Sequence, residues 1–243
     1  MLTINSVIQN QDISLSWSNQ EQLLKVFNFQ TRNNCNIEKL SSNISGNIQW
    51  NYNRIFEHNS IAVNMLNNVL DIGSGISLID LAIAKLNSNI NFYLLDESKI
   101  EHKKNWEYFS ECNNHGFYND WNVVLDCINN SEIDSKKFKM LSPNSIWPEN
   151  LDLIMSLNSW CWHYPKEVYW KQTLASLKIG GWLVLDILNL PSRDLIFEIS
   201  EELKSKPNYM LRYLPTNYKH PFFDELTLIN NSYGGCYCWT RRK

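Results

Sequence analysis

Two acids and two glycines between residues 71 and 96 have the types and spacing that bind a nucleoside. Asp71 ends a short apolar run, and Gly73, Ser74 and Gly75 follow it directly. Glycines let the backbone turn sharply and let a ligand approach with no Cβ in the way. Asp96 ends the next apolar run, where a carboxylate can accept two hydrogen bonds from a ribose diol. These residues predict a nucleoside site.

The turn favours a ligand other than a dinucleotide, although NAD stays an alternative. A dinucleotide site requires Gly-x-Gly-x-x-Gly, so that a pyrophosphate can lie on the helix end. Gly73 and Gly75 fit this pattern, but its third glycine position holds Leu78. Asp71 would repel phosphate and suits a ligand that carries an ammonium group. A turn that uses its glycines for geometry alone is the other alternative.

A second set of reactive side chains lies at residues 158–165, which read Asn-Ser-Trp-Cys-Trp-His-Tyr-Pro after an apolar run. His163 is the candidate general base, because imidazole titrates in the useful pH range. Capping of the next helix is its alternative role. Trp160, Trp162 and Tyr164 predict an aromatic wall that contacts the substrate, with at least one of them in the core.

Composition and charge exclude several classes of function. The 243 residues carry 22 Lys and Arg against 25 Asp and Glu, a net charge of −3, so no basic surface for nucleic acid is expected. No apolar run approaches the ~20 residues of a membrane span, and the N-terminus lacks the pattern of a signal peptide. Six scattered cysteines without a Cys-x-x-Cys pair predict reduced thiols and a cytoplasmic protein. The charge balance favours a small-molecule partner.

Strand and helix patterns alternate from residue 68 onward, which predicts an α/β sheet with covered faces. The first 60 residues are too short to bury a core alone, so they predict a helical cap over a domain at 61–243. Within the cap, Trp50 and Arg54 would share one helical side, facing substrate and a ligand carboxylate respectively. The predicted strands are 68–72, 90–95, 137–141, 151–157, 182–188, 208–214 and 225–239. The predicted helices are 20–29, 76–87, part of 99–133, 165–178 (ended by Gly180 and Gly181) and 192–204, with a loop at 41–46.

Asp-x-Gly-x-Gly at 71–75 resembles the first motif of class I S-adenosylmethionine (SAM) methyltransferases. The run Leu-Leu-Asp-Glu-Ser at 94–98 resembles their ribose motif, and the resemblance covers roughly residues 60–243. It implies a Rossmann-like, seven-stranded, mostly parallel sheet whose antiparallel last strand lies between strands five and six. The family's third glycine would fall at Ser77, so this chain matches two glycines of three.

The resemblance also implies SAM as the cofactor, S-adenosylhomocysteine as its product, and further contacts. The family's motifs place the donor against Glu97, Leu157 and Asn158, and place adenine at Ser142, where the family's usual acid is missing. Arg54, in the cap, would pair with the methionine carboxylate of SAM, and a surface arginine is the alternative. The Pro-Pro motif of amino-methylating nucleic-acid enzymes and the acid of metal-dependent enzymes are both missing after strand four, so no metal is expected. A small-molecule hydroxyl, such as that of a sugar, is the expected acceptor. The alternatives are N-methylation of a small amine or protein side chain, and SAM binding without catalysis in a regulatory or partner subunit.

Overall fold

The computed structural model describes most of the chain. At residues 29, 31 and 187, and over residues 223–230 and 236–242, only the backbone is described. Side chains are described at all other residues of the ranges given next. The described ranges are 1–31, 35–57, 60–96, 119–157, 159–160, 168–187, 223–230 and 236–242.

Nine strands and five α-helices form the regular structure of the described residues. A π-helical turn at Asn53–Glu57 follows the second helix directly. In chain order the elements are β1 Leu2–Ile8, β2 Gln11–Trp17, α1 Gln20–Thr31, α2 Ile37–Tyr52, β3 Asn68–Ile72, α3 Leu78–Leu86, β4 Asn91–Leu95, α4 Trp121–Asn130, β5 Phe138–Leu141, β6 Leu151–Ser156, α5 Trp170–Ser176, β7 Leu177–Ile187, β8 Phe223–Asn230 and β9 Cys236–Arg242.

The larger sheet has the strand order β5-β4-β3-β6-β7-β9-β8. The pairs β3–β6, β4–β5 and β6–β7 are parallel, whereas β9 is antiparallel to both of its neighbours. Long apolar runs explain this arrangement, because strands of a mostly parallel sheet are buried on both faces. The predicted Rossmann-like α/β fold, with an antiparallel last strand beside strand five, is confirmed.

The chain divides into two compact units. The first comprises Met1–Asn67 and Ser74–Ser145, and the second comprises Asn68–Gly73 and Ile146–Lys243. The predicted boundary at residue 60 does not coincide with an end of either unit, and the cap and the domain stay predictions.

The first unit begins with a β-hairpin. β1 and β2 pair antiparallel from Leu2 opposite Trp17 to Ile8 opposite Gln11. Gln9 and Asn10 connect them with φ of +51° and +61°, the left-handed conformation at both central residues that a two-residue hairpin turn requires. The prediction of a helical cap is therefore wrong over residues 2–17. Apolar and polar residues alternate over these short runs, which favours strands because alternate side chains then point to one face. Alternate side chains of both strands are buried in the structure.

Helix α2 runs through the stretch predicted as a loop at 41–46, and that prediction is wrong. Asn36 caps the helix by accepting the Lys39 N–H at 3.1 Å. Leu40, Ile44 and Ile48 recur every four residues and are buried. This stripe packs against β1 and α3. Packing of an apolar face outweighs the ~1 kcal/mol that a glycine costs within a helix.

The second unit contains the paired strands β3, β6 and β7. β6 is buried along its whole length, and Val69 and Leu70 of β3 lie opposite Leu153 and Ile154. β7 begins at Leu177, so Gly180 and Gly181 lie inside a strand and do not end the preceding helix as predicted. The register between β6 and β7 shifts at this point, and Gly180 has φ of +75°. A strand irregularity, which favours glycine, explains the difference.

The C-terminal part of the sheet is a pair of strands where the sequence predicts one. β8 and β9 pair antiparallel, from Phe223 opposite Arg242 to Asn230 opposite Cys236. The single strand predicted at 225–239 is wrong, because its range contains most of β8 and the start of β9. The strand predicted at 208–214 and the helix predicted at 192–204 lie outside the described residues.

Candidate nucleoside site

The glycine turn of the first unit leads into α3. Gly75 has φ of +55°, a left-handed conformation that glycine adopts without steric cost. Ser77 precedes the first helical residue, and its carbonyl accepts the Leu81 N–H at 2.9 Å, which fixes the start of the helix. The amides of the first helical turn have no partners within the helix. The turn therefore presents backbone N–H groups beside residue 75, which carries no side chain of its own.

Asp96 is directed at this turn. Its Oδ2 accepts a hydrogen bond of 2.8 Å from the Gly75 N–H, and its own N–H donates to the Leu141 carbonyl at 3.2 Å. The bond from Gly75 orients the carboxylate, which has about four lone-pair sites when ionised and can accept further bonds. The structure thus brings together the glycine and the acid that the sequence predicts for a ribose.

Gln30, in the last turn of α1, lies against the same turn and was missed by the sequence predictions. Its Oε1 accepts the Ile76 N–H at 3.4 Å. A Cβ added to Gly75 would lie 2.8 Å from Nε2 of Gln30 and 2.9 Å from its Oε1. One signal pointed to it: Gln30 continues the face of α1 that buries Leu23 and Phe27, where a polar residue is unusual.

Ser77 holds the family's third glycine position and keeps a glycine-like backbone, with φ of +52° and ψ of +36°. Its hydroxyl does not cap α3, although serine is a preferred capping residue. The Oγ atoms of Ser74 and Ser77 are buried without a hydrogen-bond partner among the residues the structure describes. Ser77 therefore replaces the third glycine of the motif but keeps a backbone conformation typical of glycine.

Trp50, in the last turn of α2, and Arg54, just after the helix, form a stacked pair. The Arg54 guanidinium lies 4.1 Å from the centre of the Trp50 ring, an attractive cation–π geometry. Arg54 is buried, whereas Trp50 is 51% exposed. Arg54 lies in the π-helical turn, a kind of element that is frequent at functional sites. This contact is consistent with the prediction that Trp50 and Arg54 share one helical side. The substrate predicted at Trp50 and the carboxylate predicted at Arg54 stay predictions.

Ser142 is exposed and follows β5 directly. Its N–H donates to the Ser145 hydroxyl at 2.9 Å, and the Ser145 N–H donates to the Ser142 carbonyl at the same distance. Leu95 and Leu141 are in register, so Asp96 and Ser142 both follow the last paired residues of their strands. This places the predicted adenine and ribose residues at the same edge of the β4–β5 pair.

In the second unit, the space that a Gly73 side chain would take is occupied by another residue of the same unit. It has φ of +72°, and a Cβ at this position would lie 1.9 Å from the Ser159 Oγ and 2.2 Å from the Ser159 Cβ. No real side chain could occupy that space. The glycine therefore allows the segment after β6 to approach the end of β3.

Ser156 ties these two segments together. Its hydroxyl donates to the Ile72 carbonyl at 2.8 Å and accepts the Trp160 N–H at 2.8 Å. Asp71, 3% exposed, lies opposite Met155 in the same pair of strands. Leu157 is half-buried and follows the strand. The described site residues Asp71, Gly73 and Leu157 thus lie at the end of the β3–β6 pair.

Trp160 lies in the core, as the sequence predicts for at least one residue of the aromatic wall. It is fully buried, and its ring meets Tyr169 edge to face at a centroid distance of 5.9 Å and Trp170 at 6.4 Å. Five further predicted site residues lie outside the described residues. These are Glu97, Asn158, Trp162, His163 and Tyr164.

The described cysteines and acids show no metal-binding group. No cluster of three or more His, Cys, Asp or Glu side chains occurs in the described ranges, and the expectation of no metal stays a prediction. Burial raises the pKa of the Cys127 thiol to about 12, which makes it an unreactive core residue. Within the part of the chain that the structure describes, no helix combines the length and apolar character of a membrane span.

Comparison with protein-family models finds no match, and comparison with curated proteins finds none either. Among solved structures, the chain is similar to a proposed O-methyltransferase from Nostoc punctiforme PCC 73102, at 13% identity and a TM-score of 0.49, over 82% of this chain and 56% of that one. It is similar to a proposed caffeoyl-CoA O-methyltransferase from Staphylococcus aureus, at 13% identity and 0.47, over 92% and 99%.

A third similar structure is human N-acetylserotonin methyltransferase in complex with SAM, at 11% identity and a TM-score of 0.39, over 82% of this chain and 54% of that one. The chain thus spans about half the length of the Nostoc and human proteins. Likeness at these identities does not indicate a shared substrate.

Proposed function

We propose that this protein is a class I SAM-dependent methyltransferase that methylates a hydroxyl group of a small molecule. The observation that carries the proposal is the hydrogen bond from the Gly75 N–H to the Asp96 carboxylate. It directs an acid at a glycine turn at the end of a parallel strand, where α/β sheets bind ligands. A solvated surface acid would not be held by the backbone of that turn.

The residues of the turn fit such a donor. The space in front of Gly75 already holds a polar amide, that of Gln30, at contact distance from the backbone. The turn can therefore accept polar ligand groups close to its main chain. Asp71 is buried at the end of β3, and a second acid near the turn disfavours the pyrophosphate of a dinucleotide. The buried acid supports SAM over NAD, and the space at Gly75 is compatible with either ligand.

Each predicted donor contact has a chemical reason. When bound, SAM supplies a methyl group made electrophilic by its sulfonium. Asp96 and Glu97 would accept hydrogen bonds from the ribose, and Arg54 would pair with the carboxylate. The remaining proposed contacts are Asp71, Gly73, Ser74 and Gly75 at the turn, Ser142 beside adenine, and Leu157 and Asn158 after β6.

The acceptor side of the proposal rests on residue types. His163 would take the proton of the acceptor hydroxyl, which an oxygen acceptor needs more than an amine does. Trp50, Trp162 and Tyr164 offer flat apolar faces that suit a sugar or planar ring. Trp160 would support them from the core, because it is fully buried. The proposed acceptor is a small molecule, and the proposed chemistry uses no metal.

The test is calorimetry with S-adenosylhomocysteine and NAD on the wild type and Asp96→Asn. The asparagine keeps the shape but loses a charge-assisted acceptor worth about 1.5–3 kcal/mol, so S-adenosylhomocysteine should bind at least about tenfold more weakly. The matched control is Asp12→Asn, which removes the same charge at an exposed position in β2 and should leave the affinity within about twofold.

Three outcomes decide the proposal. Binding of S-adenosylhomocysteine that weakens in Asp96→Asn alone supports it. Binding of NAD without S-adenosylhomocysteine would replace it with a dinucleotide site. Equal binding by the wild type and Asp96→Asn would show that the acid does not contact the ligand, and the assignment of the turn would fail.

A further inference from the structure

Gln30 reaches the glycine turn from a part of the chain that no motif covers. It is held there through the Ile76 N–H at 3.4 Å, and its amide lies against the face of Gly75 that lacks a Cβ. A glycine with positive φ at this point admits that amide, whereas any other side chain would require the amide to shift. The contact joins α1 to the turn.

Hydrogen bonds of the first unit connect the end of β5, Asp96, the glycine turn and Gln30 in that order. Ser142 follows Leu141, whose carbonyl accepts the Asp96 N–H. Asp96 in turn accepts the Gly75 N–H. The next amide along the chain, that of Ile76, is the one that donates to Gln30. In this series of bonds, Asp96 stands between the end of β5, which Ser142 follows, and the glycine turn that Gln30 contacts.

SAM has the same order of chemical groups: adenine, ribose, then an amino-acid end that carries an ammonium and a carboxylate. We propose that Gln30 contacts this amino-acid end and makes the site prefer the full donor over shortened adenine nucleosides. The inference rests on the proposed function. A carboxamide suits the task, because its N–H₂ donates to a carboxylate and its oxygen accepts from an ammonium. Gln30 then acts as a binding and specificity residue that takes no part in proton transfer.

The test compares two probes that differ at that end. S-adenosylhomocysteine carries the amino-acid group, and 5′-methylthioadenosine keeps adenine, ribose and sulfur but lacks it. Calorimetry of the wild type and Gln30→Ala should show S-adenosylhomocysteine binding about tenfold more weakly in the variant, since a hydrogen bond to a charged group is lost. 5′-Methylthioadenosine should bind within about twofold of the wild type.

Two further variants keep the test decisive. Gln30→Glu keeps the size and the Ile76 acceptor but loses the N–H₂ donor, so it should also weaken S-adenosylhomocysteine selectively even if Gln30→Ala unfolds. Gln20→Ala removes an amide at the other end of α1 and should change neither affinity. Thermal unfolding of each variant reports whether the fold is intact.

The failures of the two proposals look different. If the wild type binds neither probe, the proposed function fails. If the wild type binds both and Gln30→Ala weakens both equally, or neither, Gln30 does not contact the amino-acid end. If Gln30→Ala binds S-adenosylhomocysteine more tightly, Gln30 obstructs the site, and the inference is also overturned.

Discussion

Gly73 and Gly75 belong to one motif and have similar backbone conformations, yet their surroundings differ. In the second unit, Gly73 is met by the short side chain of Ser159, whose Cβ stands 2.2 Å from the place a Gly73 Cβ would take. In the first unit, Gly75 is met by the far end of the Gln30 side chain, at 2.8 Å. Ser159 cannot withdraw without its backbone, whereas a glutamine amide can turn away.

The contrast separates two uses of glycine that a motif does not distinguish. Gly73 permits the chain to pack on itself, because the segment that carries Ser159 is also fixed by the Ser156 hydroxyl. Gly75 leaves a space that a flexible polar group occupies and that a ligand could share. One glycine of the pattern is thus explained by packing, and the other fits the ligand site proposed above.

The largest effect expected is that of Gly73→Ala. The new methyl group overlaps Ser159 and the residue must keep φ near +72°, so we expect a loss of roughly 3–4 kcal/mol in the free energy of unfolding. Urea denaturation measures it. In the Gly73→Ala background, Ser159→Gly removes the overlapping atoms and should recover roughly half of the loss. Absence of any recovery would show that the contact with Ser159 is not the cause.

Gly75→Ala should be milder, at about 1–2 kcal/mol, because the left-handed backbone supplies most of its cost. When Gln30→Ala is added in the same chain, the free-energy cost of Gly75→Ala should change little. The coupling free energy from a double-mutant cycle should therefore be large for Gly73 with Ser159 and near zero for Gly75 with Gln30. Equal couplings in both cycles would contradict the distinction between the two glycines.

The sequence predicted the local parts of this comparison well. The strand at Asn68–Ile72 has its predicted bounds, because a continuous apolar run is followed at once by glycines. Asp96 was predicted to lie at the ribose because one strand–helix unit separates it from the glycine turn. Neighbouring parallel strands end at the same edge of a sheet. Both predictions use residues close together in the chain, where pattern and structure are directly linked.

The contacts that give the two glycines their different surroundings could not be predicted in this way. Ser159 and Gln30 reach the motif from distant parts of the chain, and nothing in their local sequence states what they touch. The N-terminal hairpin and α2 were missed for another reason. Each contains weak local signals, such as the Ser-Asn-Ile-Ser-Gly run in α2, that burial of a few apolar side chains overrides.

The smallest effect, and one of opposite sign, concerns Ser77. Ser77→Gly should stabilise the protein by about 1 kcal/mol more than Ser77→Ala, because both remove the hydroxyl and only glycine relieves the φ of +52°. Ala84→Gly makes the alanine-to-glycine change inside α3, where it should instead cost about 1 kcal/mol. Urea denaturation of the four proteins, including the wild type, measures these differences. If Ser77→Gly is no more stable than Ser77→Ala, the third motif position carries no strain. A gain together with unchanged affinity for S-adenosylhomocysteine would instead show that the strained serine is a cost to folding that ligand binding at Gly75 does not require.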